Sequence, residues 1–221
     1  MKIRDKYNSI FSEIIEKCLA LEKIGYFLGT WGNVSVRVEE GLIVTPSKMA
    51  YASMTNNDFV ILSFDGRVLD GDKVPTSEAN IHRLLYNKRN DINAIIHNHS
   101  LYATAMSCLH KPIPPFVEEL SQLVGGRINC TKYIPAGQHM KIAEEAANTI
   151  GTANSLLLAN HGVIGCGQNL EEAFLVCRAV EKAACMLLAA GSTGRVKSIP
   201  DKFVKSERHR FLYKYGTKAD K

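Results

Sequence analysis

The chain is poor in the features that would settle a function class at once. It has a single tryptophan, and its six cysteines (18, 108, 130, 166, 177 and 185) are scattered without a CxxC pair. That spacing excludes a thiolate metal knuckle and does not form a disulfide framework, so buried free thiols are expected. No run approaches the about eighteen consecutive apolar residues of a membrane span, so no membrane association is expected. The opening stretch MKIRDKYNSIFSEI mixes charges into its apolar residues and does not read as a signal peptide. A cytoplasmic location is therefore expected. Repeats, low-complexity segments and linkers are missing. GVIGCG is not a dinucleotide fingerprint, because its glycines fall between two β-like stretches rather than opening a helix.

Charge of one sign is also scarce outside the C-terminus. The formal net charge is +5, but residues 195–221 carry +6 and the rest −1. The basicity belongs to a solvated, partly helical tail, not to a nucleic-acid-binding face, and no nucleic-acid motif accompanies it.

What is present suits one α/β domain over residues 1–221, with a basic helical segment from about 195. In 7–27, Ile10, Phe11, Ile14, Ile15, Cys18 and Leu19 recur at helical spacing. NVSVRV and GLIVTP read as strands joined by a charged turn, and DFVILSFDGRVLDG as a hairpin. TSEANIHRLLYNKR reads as a helix with Thr76 or Ser77 as N-cap. INAIIHNH reads as a buried strand, SLYATAMSCLHK and HMKIAEEAANTIG as helices, and NSLLLANHG and VIGCG as strands. A long helix is expected over 169–190 and a last one in DKFVKSERHRFLYKYG.

The chemistry concentrates at IIHNHS. On a strand, residues i and i+2 share a face, so His97 and His99 stand side by side, as two ligands of one metal require. Two polar residues at a strand end, hydrogen-bonded to backbone, is the plainer alternative. His161 follows another aliphatic strand in LLLANHGV. Two such strand ends can meet at one edge of a sheet, and three imidazoles with an open position make a catalytic zinc site. Glu78 sits in the first turn of its helix, where the helix dipole alone favours a carboxylate. Acid/base chemistry or a fourth ligand position is the sharper reading. Thr76 and Ser77 add hydroxyls at the same helix start, which suits an anion such as phosphate.

Five motifs in order, G-N-V-S near residue 32, V-T-P-S near 45, P-T-S-E near 76, H-N-H at 97–99 and A-N-H-G at 159–162, resemble the class II aldolase/adducin family. Within it the similarity is to the zinc-dependent fuculose-phosphate aldolases, from about residue 7 onward. The resemblance implies a central, mainly antiparallel β-sheet flanked by helices, and a C4 homotetramer with active sites at subunit interfaces. It implies zinc, one per subunit, on His97, His99 and His161, with another divalent metal left open. Glu78 would ligate zinc at rest and act as acid/base. Gly32, Asn33, Ser47, Lys48, Thr76 and Ser77 match phosphate-cradling positions. The activity implied is reversible cleavage of a ketose 1-phosphate of the fuculose, rhamnulose or 5-deoxyribulose type to dihydroxyacetone phosphate and an aldehyde.

Three positions depart from, or extend, that pattern. Lys48 stands where the fuculose branch has glycine, either adding a cation or pointing to solvent. Counting back from Gly125 and Gly126, Glu119 stands where that branch has a tyrosine that protonates the aldehyde oxygen in a neighbour's site. Tyr215 falls at a C-terminal active-site tyrosine of that branch, or packs its helix down. Glu119 keeps open a methylthioribulose-1-phosphate dehydratase-like reaction, and decarboxylation of a phosphorylated keto acid is a further lyase option. A non-catalytic module like the adducin head is the alternative of another class, against which the intact His97, His99, His161 and Glu78 argue.

Overall fold

A computed structural model describes residues 3–217. Eight strands form one sheet: β1 (Asn33–Val38), β2 (Gly41–Val44), β3 (Val60–Leu62), β4 (Val68–Asp70), β5 (Ala94–Asn98), β6 (Asn129–Cys130), β7 (Ser155–Leu158) and β8 (Gly162–Gly167). Their order across the sheet is β4-β3-β2-β1-β5-β8-β7-β6. Every pairing is antiparallel except β6 with β7. The mainly antiparallel sheet expected from sequence is therefore observed. The two strand ends meet as expected: β5 leads into His99 and β7 ends shortly before His161, with β8 lying between these strands.

Six α-helices cover both faces: α1 (Asn8–Lys23), α2 (Ala79–Lys88), α3 (Leu101–Cys108), α4 (His139–Thr149), α5 (Leu170–Gly191) and α6 (Asp201–Tyr213). Strand alternation sorts the core. Val34, Ile43 and Ile96 point to one face, where Phe11, Ile14, Cys18 and Leu21 of α1 and the start of α5 pack. Leu42, Ile95, Leu156 and Ile164 point to the other, under Ile81 and Leu85 of α2 and Ala143 and Ala146 of α4. Each such fully buried aliphatic contributes about 1.5–3 kcal/mol of transfer free energy. Leu19, expected on the buried stripe of α1, is instead exposed, and Leu21 fills the core position.

Two expectations shift. α2 starts at Ala79, one or two residues later than read, with Glu78 at its N-cap position and no side-chain cap. Thr76 and Ser77 belong to the turn before it. Of the six free cysteines, Cys18, Cys166 and Cys177 are buried, but Cys108 is exposed at the end of α3. α6 packs on a one-turn π-segment, Leu120–Val124, that no periodicity announced, and Arg208 donates to the carbonyls of Gln122 and Leu123. The end of the basic tail, residues 218–221, lies outside the described residues.

Candidate functional site

Sheet register assembles the site. Asn33, the first residue of β1, pairs with His97 on β5, and His97 pairs with Ile164 on β8. His99 follows one residue beyond the end of β5, on the same side as His97. His161 sits in the turn from β7 to β8, next to Asn160, which adopts a left-handed φ of 55°. Asn tolerates that conformation better than most residues. The Asn160 side chain also accepts from His110 Nε2 at 2.5 Å.

The three rings converge. Their centroids lie 4.8, 4.8 and 5.1 Å apart, and one nitrogen from each lies within 4.8 Å of the others. Gly162 lets them approach. A Cβ there would meet Asn98 O at 2.5 Å and His99 Cδ2 at 2.8 Å, so no larger residue fits behind the cluster.

Hydrogen bonding fixes which nitrogen faces inward. His97 Nδ1–H donates to Val163 O at 3.1 Å, leaving a lone pair on Nε2. That lone pair faces His99 Nε2 at 2.9 Å and Glu78 Oε2 at 3.2 Å. Glu78 Oε1 lies 3.3 Å from His161 Nε2. Lone pairs and carboxylate oxygens at such separations repel unless a cation lies among them. Ligand bonds of about 2.0–2.1 Å in a tetrahedral zinc site put donors about 3.3 Å apart. The donor set therefore fits a divalent ion of zinc's size and preference, with three imidazoles and one carboxylate.

Burial disfavours the charged form of His97 and His99. It pushes His97 well below the ordinary imidazole value, with His161 and His99 acting in the same direction. His99 is lowered too, chiefly by burial. Neutral imidazole is the form that binds metal.

Around this floor opens a cleft of about 600 Å³. One wall carries Gly32, Asn33, Ser47, Lys48, Thr76 and Ser77, all six positions singled out in the sequence. Lys48 has a left-handed φ of 56° and makes no ion pair among the described residues. Asn33 differs from the expected phosphate contact: its amide donates to Glu78 Oε2 at 2.7 Å, so at least one of its N–H groups is already engaged. The opposite wall, Thr131–Gly137 with His139 and Glu145, was not foreseen. Its residues CTKYIPAGQ have no periodicity that could have placed them there.

Two other candidates lie elsewhere. Glu119 is held by Lys182 at 2.6 Å and lines a separate hollow with Tyr26, Tyr102 and Arg178. Lys182 holds its carboxyl below the usual range. Tyr215 is exposed, with its ring against Phe211. Neither lines the cleft of its own protomer.

Behind Glu78, the wholly buried His82 is pushed down to about 4 by burial. Its unfolded value is near 6.5, so the unfolded chain binds the extra proton and stability falls as pH drops between these values. Metal-free protein is expected to lose about 3 kcal/mol from His82 between neutral pH and pH about 4. Urea midpoints measured across that window check this, and a flat profile contradicts it.

The chain matches the family described as Class II Aldolase and Adducin N-terminal domain over residues 12–188. It is 37% identical over 182 residues to an L-fuculose phosphate aldolase of Haemophilus influenzae, covering 82% of this chain and 83% of the relative. It is 35% identical over 179 residues to a 5-deoxy-D-ribulose 1-phosphate aldolase of Bacillus thuringiensis, covering 80% and 83%. A solved structure of an L-fuculose 1-phosphate aldolase superposes with a TM-score of 0.88 at 30% identity, covering 93% of this chain and 97% of that one.

Proposed function

Because the chain belongs to the class II aldolase and adducin family, we propose that its cleft performs reversible aldol cleavage of a ketose 1-phosphate to dihydroxyacetone phosphate and an aldehyde. It is a carbon–carbon lyase of the sugar-phosphate aldolase class. The observation that carries this reading is the convergence of His97, His99, His161 and Glu78 beside a hydroxyl-rich wall.

Each residue then has a task. Ser47, Thr76 and Ser77 offer hydroxyls to the phosphate, and Lys48 adds a cation at the rim. Gly32 is demanded by the wall itself: its φ is 102°, and a Cβ there would meet the Phe27 ring at 2.3 Å. His97, His99 and His161, with Glu78 as a further ligand at rest, would hold a divalent ion, which would supply Lewis-acid stabilisation of developing negative charge. Zinc suits three imidazoles and a carboxylate, as do manganese, iron and cobalt. Glu78 moves the proton at the nucleophilic carbon of the triose phosphate. Its carboxylate is half-enclosed, with 13% side-chain exposure, so it reaches substrate while bulk water is largely kept away. The wall from Thr131 to Gly137 closes the aldehyde side.

A homotetramer with sites at subunit interfaces is part of the proposal. Leu28, Trp31 and Leu101 are 68%, 61% and 71% exposed, and the Trp31 ring lies 5.9 Å from that of His99. An apolar rim beside a catalytic floor is what a neighbouring copy would cover. Glu119 and Tyr215 can reach an aldehyde oxygen only from such a neighbour. Light scattering should give a tetramer; a clean monomer contradicts it. The free cysteines suit a cytoplasmic location, and among the described residues no helix is long and apolar enough to cross a membrane.

Lys48→Gly separates two effects. Relief of the left-handed strain, about 1 kcal/mol, outweighs or balances the extra freedom of glycine in the unfolded chain. The melting temperature should therefore hold or rise. KM for the ketose 1-phosphate should rise about fivefold, the worth of one partly exposed charge pair. An unchanged KM would place Lys48 in solvent. A panel of fuculose-, rhamnulose- and 5-deoxyribulose-type 1-phosphates, scored by dihydroxyacetone phosphate release, tests the reaction and identifies the aldehyde fragment. No release from any of them by protein carrying its metal would overturn the aldolase reading.

A further inference from the structure

The seam between α2 and the centre of the sheet is polar where apolar packing would serve stability as well or better. Ser35, His82 and Tyr86 are completely buried there, and Asn33 is 4% exposed. They form one chain of hydrogen bonds with a single outlet. The Asn33 amide donates to Glu78 Oε2 at 2.7 Å. His82 Nε2 lies 2.6 Å from Asn33 Oδ1, and Ser35 Oγ lies 2.6 Å from His82 Nδ1. The Tyr86 hydroxyl lies 2.8 Å from Ser35 Oγ and donates to Ser35 O at 3.0 Å.

The direction of the chain is determined from its end at Glu78. A carboxylate only accepts, so Asn33 must present its NH2 to Glu78 and its oxygen to His82. His82 must then carry its proton on Nε2 and accept from the Ser35 hydroxyl at Nδ1. With the Ser35 proton donated to His82 Nδ1, the Tyr86 hydroxyl proton is shared between Ser35 Oγ at 2.8 Å and Ser35 O at 3.0 Å, and this closes the chain. Neutral His82, flanked by an acceptor, Asn33 Oδ1, and a donor, the Ser35 hydroxyl, is the member that reads one end and sets the other. Replacing its N–H with an apolar group leaves Asn33 Oδ1 buried without its donor, so the amide is no longer held in the orientation that fixes Glu78.

We propose that His82 is a positioning residue, which through Asn33 fixes the Glu78 carboxylate across the histidine cluster. This rests on the acid/base reading of Glu78 above. A buried polar chain costs folding free energy unless every member is satisfied, and here it ends at the group whose placement decides proton transfer. Misplacing a reacting group by about 1 Å costs about a hundredfold in rate.

The test compares His82→Leu with His82→Gln in metal-loaded protein. Gln can donate to Asn33 and accept from Ser35, whereas Leu only fills the space. His82→Leu should keep its metal, keep KM within about threefold and lose at least about tenfold in kcat, with His82→Gln recovering most of it. Its crystal structure should show Glu78 moved off Asn33. That readout separates this proposal from the one beneath it. If Glu78→Gln turns over normally, the acid/base role fails, yet the position of Glu78 in His82→Leu still answers whether His82 places it. Unchanged kcat in His82→Leu, equal impairment of both variants, or a Glu78 that stays in place would overturn the proposal. If His82→Leu does not fold, Ser35→Ala decides, because it removes the donor to Nδ1 and leaves Tyr86 its bond to the Ser35 carbonyl. A several-fold loss of kcat at constant KM supports the relay, and unaltered kcat overturns it.

Discussion

A His99→Ala protein should purify folded, carry well under one metal ion per subunit and release no triose phosphate above background. His99 lies beyond the end of β5 and only partly in the core, so its loss leaves the sheet intact. It supplies one of three converging nitrogens, 2.9 Å from that of His97. Loss of a group that merely orients a ligand already costs about 10–100-fold in metal affinity, and loss of a ligand costs more. Elemental analysis after dialysis checks this. Stoichiometric, tightly held metal in His99→Ala would remove His99 from the ligand set.

Glu78→Gln should keep its fold and its metal and lose about a hundredfold or more in kcat, with little change in KM. The amide preserves shape, and its oxygen can still accept from Asn33. It cannot take up or deliver the proton at the nucleophilic carbon. Steady-state kinetics beside a metal assay separate this from simple loss of the ion. Near-normal turnover would rule out the acid/base role.

Much of this site was legible because strand geometry is simple. A period of two puts His97 and His99 on one face whatever else the fold does, and an aliphatic strand followed by Asn-His-Gly marked His161. The six positions on one side of the cleft were recoverable from motif order alone. Other parts were hidden for physical reasons. NVSVRV alternates, as a strand with one wet face does, yet its polar face lies under α2, and Ser35 is fully buried. Burial of a polar face depends on what packs over it, which no local pattern states. Glu78, His82 and Tyr86 recur every four residues on α2, a stripe that could have revealed the relay; it was outweighed by Ile81 and Leu85 on the same helix. The helix start was misplaced because Thr76 and Ser77 are good caps by type. In the fold Thr76 pairs with Thr45, and the cap position falls to Glu78. The wall from Thr131 to Gly137 is irregular loop, placed by the short parallel pairing of β6 with β7, and such long-range pairing leaves no periodic trace.

The most direct measurement follows dihydroxyacetone phosphate release from L-fuculose 1-phosphate by one preparation in three states: as purified, after chelation, and after one equivalent of zinc is restored. Activity that disappears with the metal and returns with it is the expected result. Full activity in thoroughly metal-free protein would contradict a metal-dependent aldolase built on His97, His99, His161 and Glu78.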